Sequence, residues 1–308
     1  MSTPSASPLS PLLDRRTLIL AGGALLTGCD AQDAPMTVDT IKPAPTERLT
    51  SSDGARIAYE RWGSGPPVIL VDGAFCSRRF GPTDKLAPLL ARRFTVLAYD
   101  RRGRGESGDA APYAVAREID DLAALIAGAG GSADVFGLSS GGVLALEAAA
   151  QGVPMDRLAV YEAPYRVKPT TRRPPADYEA QLRTLVEAGD YGGAVKFYMT
   201  RVMQMPALMT AILPLTPNWK PLKASAPSLL HEAALMGDFS LPRDRLARIE
   251  RSTLILAGDK SADMRDAAAA LNATIPGSAS EILTGQSHDV SMPVLAPILD
   301  RFFGASPD

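Results

Sequence analysis

Gly137-Leu138-Ser139-Ser140-Gly141 follows an apolar run, Ala133 to Phe136, and opens an Ala/Leu-rich stretch from Gly142 to Ala150. A GxSxG at a strand-to-helix junction holds its central serine on a tight, strained turn, and the flanking glycines let the backbone bend that sharply. A free serine hydroxyl is a weak nucleophile, so Ser139 needs a base within hydrogen-bond reach. The chain has only two histidines, His231 and His288. His288 sits in a loop, Gly285-Gln286-Ser287-His288-Asp289, after the last expected strand. His231 lies in an apolar helical run with Leu229, Leu230 and Leu235. Two carboxylates stand at carboxyl ends of expected strands, where an open α/β sheet builds its site. Asp259 follows Thr253 to Ala257, and Glu162 follows Leu158 to Tyr161. Such an acid holds the imidazole tautomer and stabilises the imidazolium. Asp259 is the favoured acid, Glu162 the alternative, and Asp263 a minor third.

The elements that position these groups alternate. Pro67–Val71, Phe94–Tyr99, Ala133–Phe136, Leu158–Tyr161 and Thr253–Ala257 are short apolar runs, as in strands buried on both faces. Helical stretches separate them, including Tyr113 to Ala127 with Ile119, Leu122, Leu125 and Ile126 on one face. A helix near Ala262–Ala273, a strand at Ser280–Leu283 and a helix near Val290–Phe303 close the chain. Asp53-Gly54 between two extended segments marks a hairpin. Strands alternating with helices imply a mostly parallel sheet flanked by helices. One segment, 165–251, contains no clear strand. It reads as a helical cap above the sheet, with helices near Tyr178–Glu187, Gly193–Met203 and Pro227–Met236. Met199, Met203, Met205, Leu208, Met209, Ile212 and Leu213 are expected to line an apolar pocket there, because Met adapts to irregular shapes.

These motifs, together with Val71-Asp72-Gly73, Asp100 to Ser107 and Ala257-Gly258-Asp259, resemble the α/β-hydrolase superfamily, in particular the capped single-domain bacterial serine hydrolases. The resemblance covers roughly 48–304. It implies an α/β-hydrolase fold with Ser139 as nucleophile and His288 as base, the acid following in chain order between them. It also implies an oxyanion hole from the backbone N–H groups of Ser140 and Ala74. Many relatives carry His-Gly where this chain has Asp72-Gly73, which alters the local loop. The Asp100–Ser107 loop is expected to be architectural, and Cys76 a packed thiol. The activity implied is hydrolysis of a small apolar carboxylic ester or related carbonyl through an acyl-enzyme. The rival readings are a non-catalytic ligand-binding protein on the same fold and a cofactor-free perhydrolase or haloperoxidase.

The N-terminus adds an address. Arg15-Arg16 precedes the apolar run Leu18 to Leu26, which is short of the ~20 residues that span a bilayer. It reads as an export signal over 1–28 and is similar to a twin-arginine signal. Leu26-Thr27-Gly28-Cys29 resembles a lipobox, which makes Cys29 a lipidation site and 29–47 a tether rich in proline. The expectation is an exported, membrane-anchored lipoprotein, periplasmic or on the outer face of the cytoplasmic membrane. Among 308 residues, 46% are hydrophobic and the net charge is −2, with no basic stripe. That composition argues against a nucleic-acid partner. No dinucleotide fingerprint follows the first strand, and two histidines with one spare cysteine give no metal-ligand cluster, so no cofactor or metal is expected.

Overall fold

The eight strands lie in the order β1-β2-β4-β3-β5-β6-β7-β8 in a single sheet. This computed structural model describes residues 41–305. The expected export signal and Cys29 lie outside the described residues, as does the tether up to residue 40. Strand β1 (Glu47–Thr50) pairs antiparallel with β2 (Arg56–Trp62) through the Asp53-Gly54 turn. Asp53 Oδ1 accepts from the Ala55 N–H at 3.1 Å, and Gly54 supplies the positive φ the turn needs. β2 pairs antiparallel with β4 (Thr95–Tyr99). The remaining strands run parallel: β3 (Pro67–Val71), β5 (Ala133–Leu138), β6 (Met155–Tyr161), β7 (Ser252–Gly258) and β8 (Ala279–Leu283).

Val/Ile/Leu-rich strands with no alternation must be covered on both faces. Accordingly, the core forms two clusters, one on each side of the sheet. Ile69, Val71, Leu97, Val135 and Val160 belong to one, packed on helices α2 (Val115–Gly128) and α3 (Ser140–Ala150). Val68, Leu70, Val96, Phe136 and Leu256 belong to the other, packed on α1 (Thr83–Leu90) and the last helix, Met292–Phe303. Helix Ala262–Asn272 follows β7. Helix α3 is buried along nearly its whole length, consistent with its Ala/Gly/Leu composition.

Between β6 and β7 the chain forms helices joined by loops and contains no strand, as the sequence predicts. Three longer helices are α4 (Tyr178–Glu187), α5 (Tyr191–Phe197) and the later Leu229–Met236. After α5 the chain widens into a π turn at Tyr198–Val202. The methionine-rich segment departs in part from expectation. Met203 and Met205 line the cavity above the sheet, but Leu208, Met209 and Ile212 are exposed and take no part in it. Met199 is buried, and Leu213 packs on the core.

The Asp100–Ser107 loop is a buried ionic network. Arg101, Arg102 and Arg104 are each at most 2% exposed. Arg102 pairs with Asp53 and Asp121, and Arg101 with Glu118 and with Glu232 of the cap. Arg104 also pairs with Glu232. The two arginines hold the Glu232 carboxyl below its ordinary range against the opposing effect of burial. Glu118, beside Arg101, is brought down to about 2. Buried arginines at one loop thus tie the cap to the sheet.

Candidate active site

Ser139 sits between β5 and α3 with φ 56° and ψ −128°, a conformation that costs a non-glycine residue on the order of 1–3 kcal/mol. Its N–H donates to Tyr161 O at 2.9 Å, which fixes the turn to the end of β6. The glycines of the motif have a direct steric reason. A Cβ on Gly137 would lie 2.6 Å from Gly141 O, and one on Gly141 would lie 2.1 Å from Val71 O. Helix α3 therefore starts almost against the end of β3. The N–H of Ser140, at the first position of α3, has no intrahelical acceptor, as at any helix N-terminus.

The loop after β3 comes just as close. A Cβ on Gly73 would meet Ser139 Cβ at 2.9 Å. Arg104 Nη1 donates to Gly73 O at 2.6 Å, and Arg101 Nη1 to Asp72 O at 3.3 Å. These bonds tie the loop carbonyls to the arginines. Phe75, with φ 65°, packs edge-on against Tyr198 of the cap at 5.6 Å. Asp72 is fully buried and accepts from Thr83 Oγ1, while its Oδ1 has no partner among the described residues. Burial pushes its carboxyl up to about 7, against the pull of Thr83 and of Arg104 and Arg101. Burial likewise raises the Cys76 thiol, so this cysteine is not activated.

His288 Nδ1 lies 2.8 Å from Glu162 Oε2. Glu162 Oε1 accepts from the Gly258 N–H at 2.9 Å, and the carboxylate is fully shielded from solvent. Glu162 itself has φ 47°, and its N–H donates to Leu256 O. Tyr161 Oη donates to Ser287 O, tying the histidine loop to the same strand end. Asp259, the acid favoured from sequence, does not meet the histidine. Its Oδ1 accepts from the Gly285 N–H at 2.9 Å, and its own carbonyl accepts from Arg265. The reason lies in strand order. β6 separates β5 from β7, so Glu162 emerges one strand nearer Ser139 than Asp259 does. Asp263, the third candidate, faces Arg166 at 3.6 Å, while His288 Nδ1 is taken by Glu162.

Ser139, Ser140, Ala74 and His288 line one cavity of about 680 Å³. Tyr198, Val202, Met203, Met205, Met236 and Phe239 supply its apolar wall, and Arg166, Gln204, Ser261 and Asp263 a polar sector. His231 is not part of it. It stacks on Tyr113 at 3.9 Å, and its Nε2 lies 3.2 Å from Asp109, a structural position under the cap. Burial lowers its pKa. Among the described residues, no three His, Cys, Asp or Glu side chains are placed to share a metal ion. The arrangement puts the Ser139 hydroxyl in one cavity with an imidazole whose Nδ1 is held by a buried carboxylate.

Residues 68–299 match the model of the Alpha/beta hydrolase family. The chain is 47% identical to an alpha/beta hydrolase from Sphaerobacter thermophilus whose structure is solved, over 83% of this chain and all of that one, with a TM-score of 0.78. It is 41% identical over 101 residues to the uncharacterized hydrolase YraK of Bacillus subtilis, covering 30% of this chain and 35% of that protein. A non-heme haloperoxidase of Rhodococcus erythropolis is 41% identical over 59 residues, which is 19% of this chain and 21% of that one. The chain thus spans well under two thirds of these curated relatives. A sheet with this order and a serine on a strained strand-to-helix turn define an α/β-hydrolase fold. The chain belongs to the alpha/beta hydrolase family.

Proposed function

We propose that this protein is a serine hydrolase of carboxylic esters or related carbonyl compounds, with Ser139, His288 and Glu162 as its triad. The observation that carries the reading is the 2.8 Å contact between His288 Nδ1 and the buried Glu162 carboxylate, in a cavity shared with Ser139. Ser139 Oγ attacks the carbonyl and His288 Nε2 takes its proton. Glu162, acceptor to Gly258 N–H and to His288, holds the ring and offsets the imidazolium charge. The N–H groups of Ser140 and Ala74 receive the oxyanion, each such donor typically worth about 100- to 1000-fold in rate. His288 then returns the proton to the leaving group, and water releases the acyl-enzyme. The apolar wall of the cavity favours a small or medium acyl chain.

A fluorophosphonate probe tests the reading. Wild type labels stoichiometrically, and Ser139→Ala and His288→Ala do not. A folded wild type that fails to label contradicts it.

The local similarity to a haloperoxidase favours one secondary activity, perhydrolysis, in which peroxide replaces water on the acyl-enzyme. For location, the Arg15-Arg16 pair and Leu26-Thr27-Gly28-Cys29 support export and lipid anchoring through Cys29.

A further inference from the structure

Arg166 begins the cap, four residues beyond Glu162, and lines the same cavity as Ser139 and His288. It is only 7% exposed, yet its guanidinium is poorly satisfied. Nε is buried with no hydrogen-bond partner among the described residues. Among the described residues its carboxylate partner is Asp263, which stands 3.6 Å from Nη1, beyond hydrogen-bond distance. Asp263 is half exposed; its Oδ2 faces Arg166, and its Oδ1 accepts from Thr171 Oγ1 at 3.4 Å. Arg173 adds a second positive charge nearby, paired mainly with backbone carbonyls of Asp238 and Arg166. The ring of Phe239 lies under the guanidinium at 5.8 Å, and Phe239 O accepts from the Arg166 N–H, so the side chain's base is fixed.

A guanidinium carries five donors in a rigid fork that matches a carboxylate, and leaving a buried donor unpaired costs stability. An anionic oxygen reaching this guanidinium from the cavity would supply the missing acceptor.

We propose that Arg166 is a carboxylate-binding group, and that the hydrolase prefers esters carrying a second, free carboxylate. The proposal rests on the serine-hydrolase reading for its kinetics, but the binding it predicts does not. Asp263 keeps the guanidinium partly neutralised and competes weakly with the incoming anion. The free carboxylate can belong to the acyl half or the alcohol half of the ester.

The test has a kinetic and a binding arm. Mono(4-nitrophenyl) glutarate against 4-nitrophenyl valerate probes the acyl half, and 4-acetoxybutyrate against butyl acetate the alcohol half. In wild type, one anionic ester is expected to exceed its neutral partner in kcat/KM by about 10- to 100-fold, the range of a charge-assisted hydrogen bond. Arg166→Gln is expected to abolish that ratio. Calorimetry of glutarate and of 4-hydroxybutyrate with Ser139→Ala reads the subsite without turnover, and adding Arg166→Gln is expected to remove binding. If Arg166→Gln does not fold, Asp263→Asn serves instead, and the better-bound anion is expected to bind it several-fold more tightly. Binding lost with Arg166 in a protein that hydrolyses neither ester pair would keep the subsite and remove the hydrolase reading. No anionic preference together with no anion binding, a preference that survives Arg166→Gln, or no gain in Asp263→Asn would overturn the proposal.

Discussion

Asp72 carries a consequence that its neighbours make measurable. Its carboxyl is buried beside Arg104, Arg101, Thr83 and the Cys76 thiol, and burial outweighs the two cations. A carboxyl raised to about 7 keeps its proton in the folded chain at pH values where the unfolded chain has lost it. Stability is then full below the ordinary carboxylate range and falls as pH rises toward 7. Asp72→Asn removes this dependence. The variant should gain stability over wild type on the order of 1–4 kcal/mol at pH 8, with a smaller difference at pH 5. Urea unfolding at the two pH values measures it, and a difference that does not change with pH would show that Asp72 is ionised throughout. Ser139 and His288 are legible in the sequence because a motif and a scarcity of histidines point at them. Glu162 reads there only as an alternative, since nothing in its local sequence reports the left-handed backbone that turns it toward His288. Arg166 carries no such signal, because an arginine after a strand ordinarily reads as surface.

At the scale of elements, the start of α3, the end of β3 and the loop after β3 converge within van der Waals distance. The 2.1 Å approach that a Gly141 side chain would make to Val71 O involves backbone on both sides, so neither can yield without moving α3 from β3. Gly141→Ala should therefore cost about 1–3 kcal/mol or more of stability and shift the Ala74 N–H relative to Ser139. Gly128, in the last turn of α2, is the matched control, because a methyl group added there would meet nothing within 4 Å. At that position the same change should be neutral or stabilising, by up to about 1 kcal/mol. Denaturation midpoints of the two variants, with ester hydrolysis alongside, compare them. Equal stability would mean that the close approach relaxes without consequence. Strands are legible as apolar runs, and the hairpin as Asp-Gly. The cap's helical character is legible too, but not which of its methionines and leucines face the cavity. A π turn at Tyr198–Val202 shifts the helical phase, and the segment after it leaves Leu208 and Ile212 facing outward.

Across the whole molecule, the site is assembled from distant parts of the chain. Ser139 comes from β5, Glu162 from β6, His288 from the loop after β8, and the cavity wall from the cap. Glu232 of the cap reaches both Arg101 and Arg104, and these donate to the carbonyls of Asp72 and Gly73. The cap and the loop that would hold the oxyanion are thus parts of one buried ionic cluster. That coupling is hidden in a sequence where Asp100 to Ser107 looks merely architectural, because the partner lies more than a hundred residues away. The order of the strands is what favours Glu162 as the proposed acid: chain position points first to Asp259, whereas the sheet puts β6 beside β5. The most direct measurement is kcat/KM for 4-nitrophenyl butyrate in Glu162→Gln beside Asp259→Asn. Loss of the orienting carboxylate should lower the rate by roughly 10³- to 10⁴-fold in Glu162→Gln, with less than about a 10-fold change in Asp259→Asn. The reverse pattern would contradict the assignment of Glu162 as the acid of the triad.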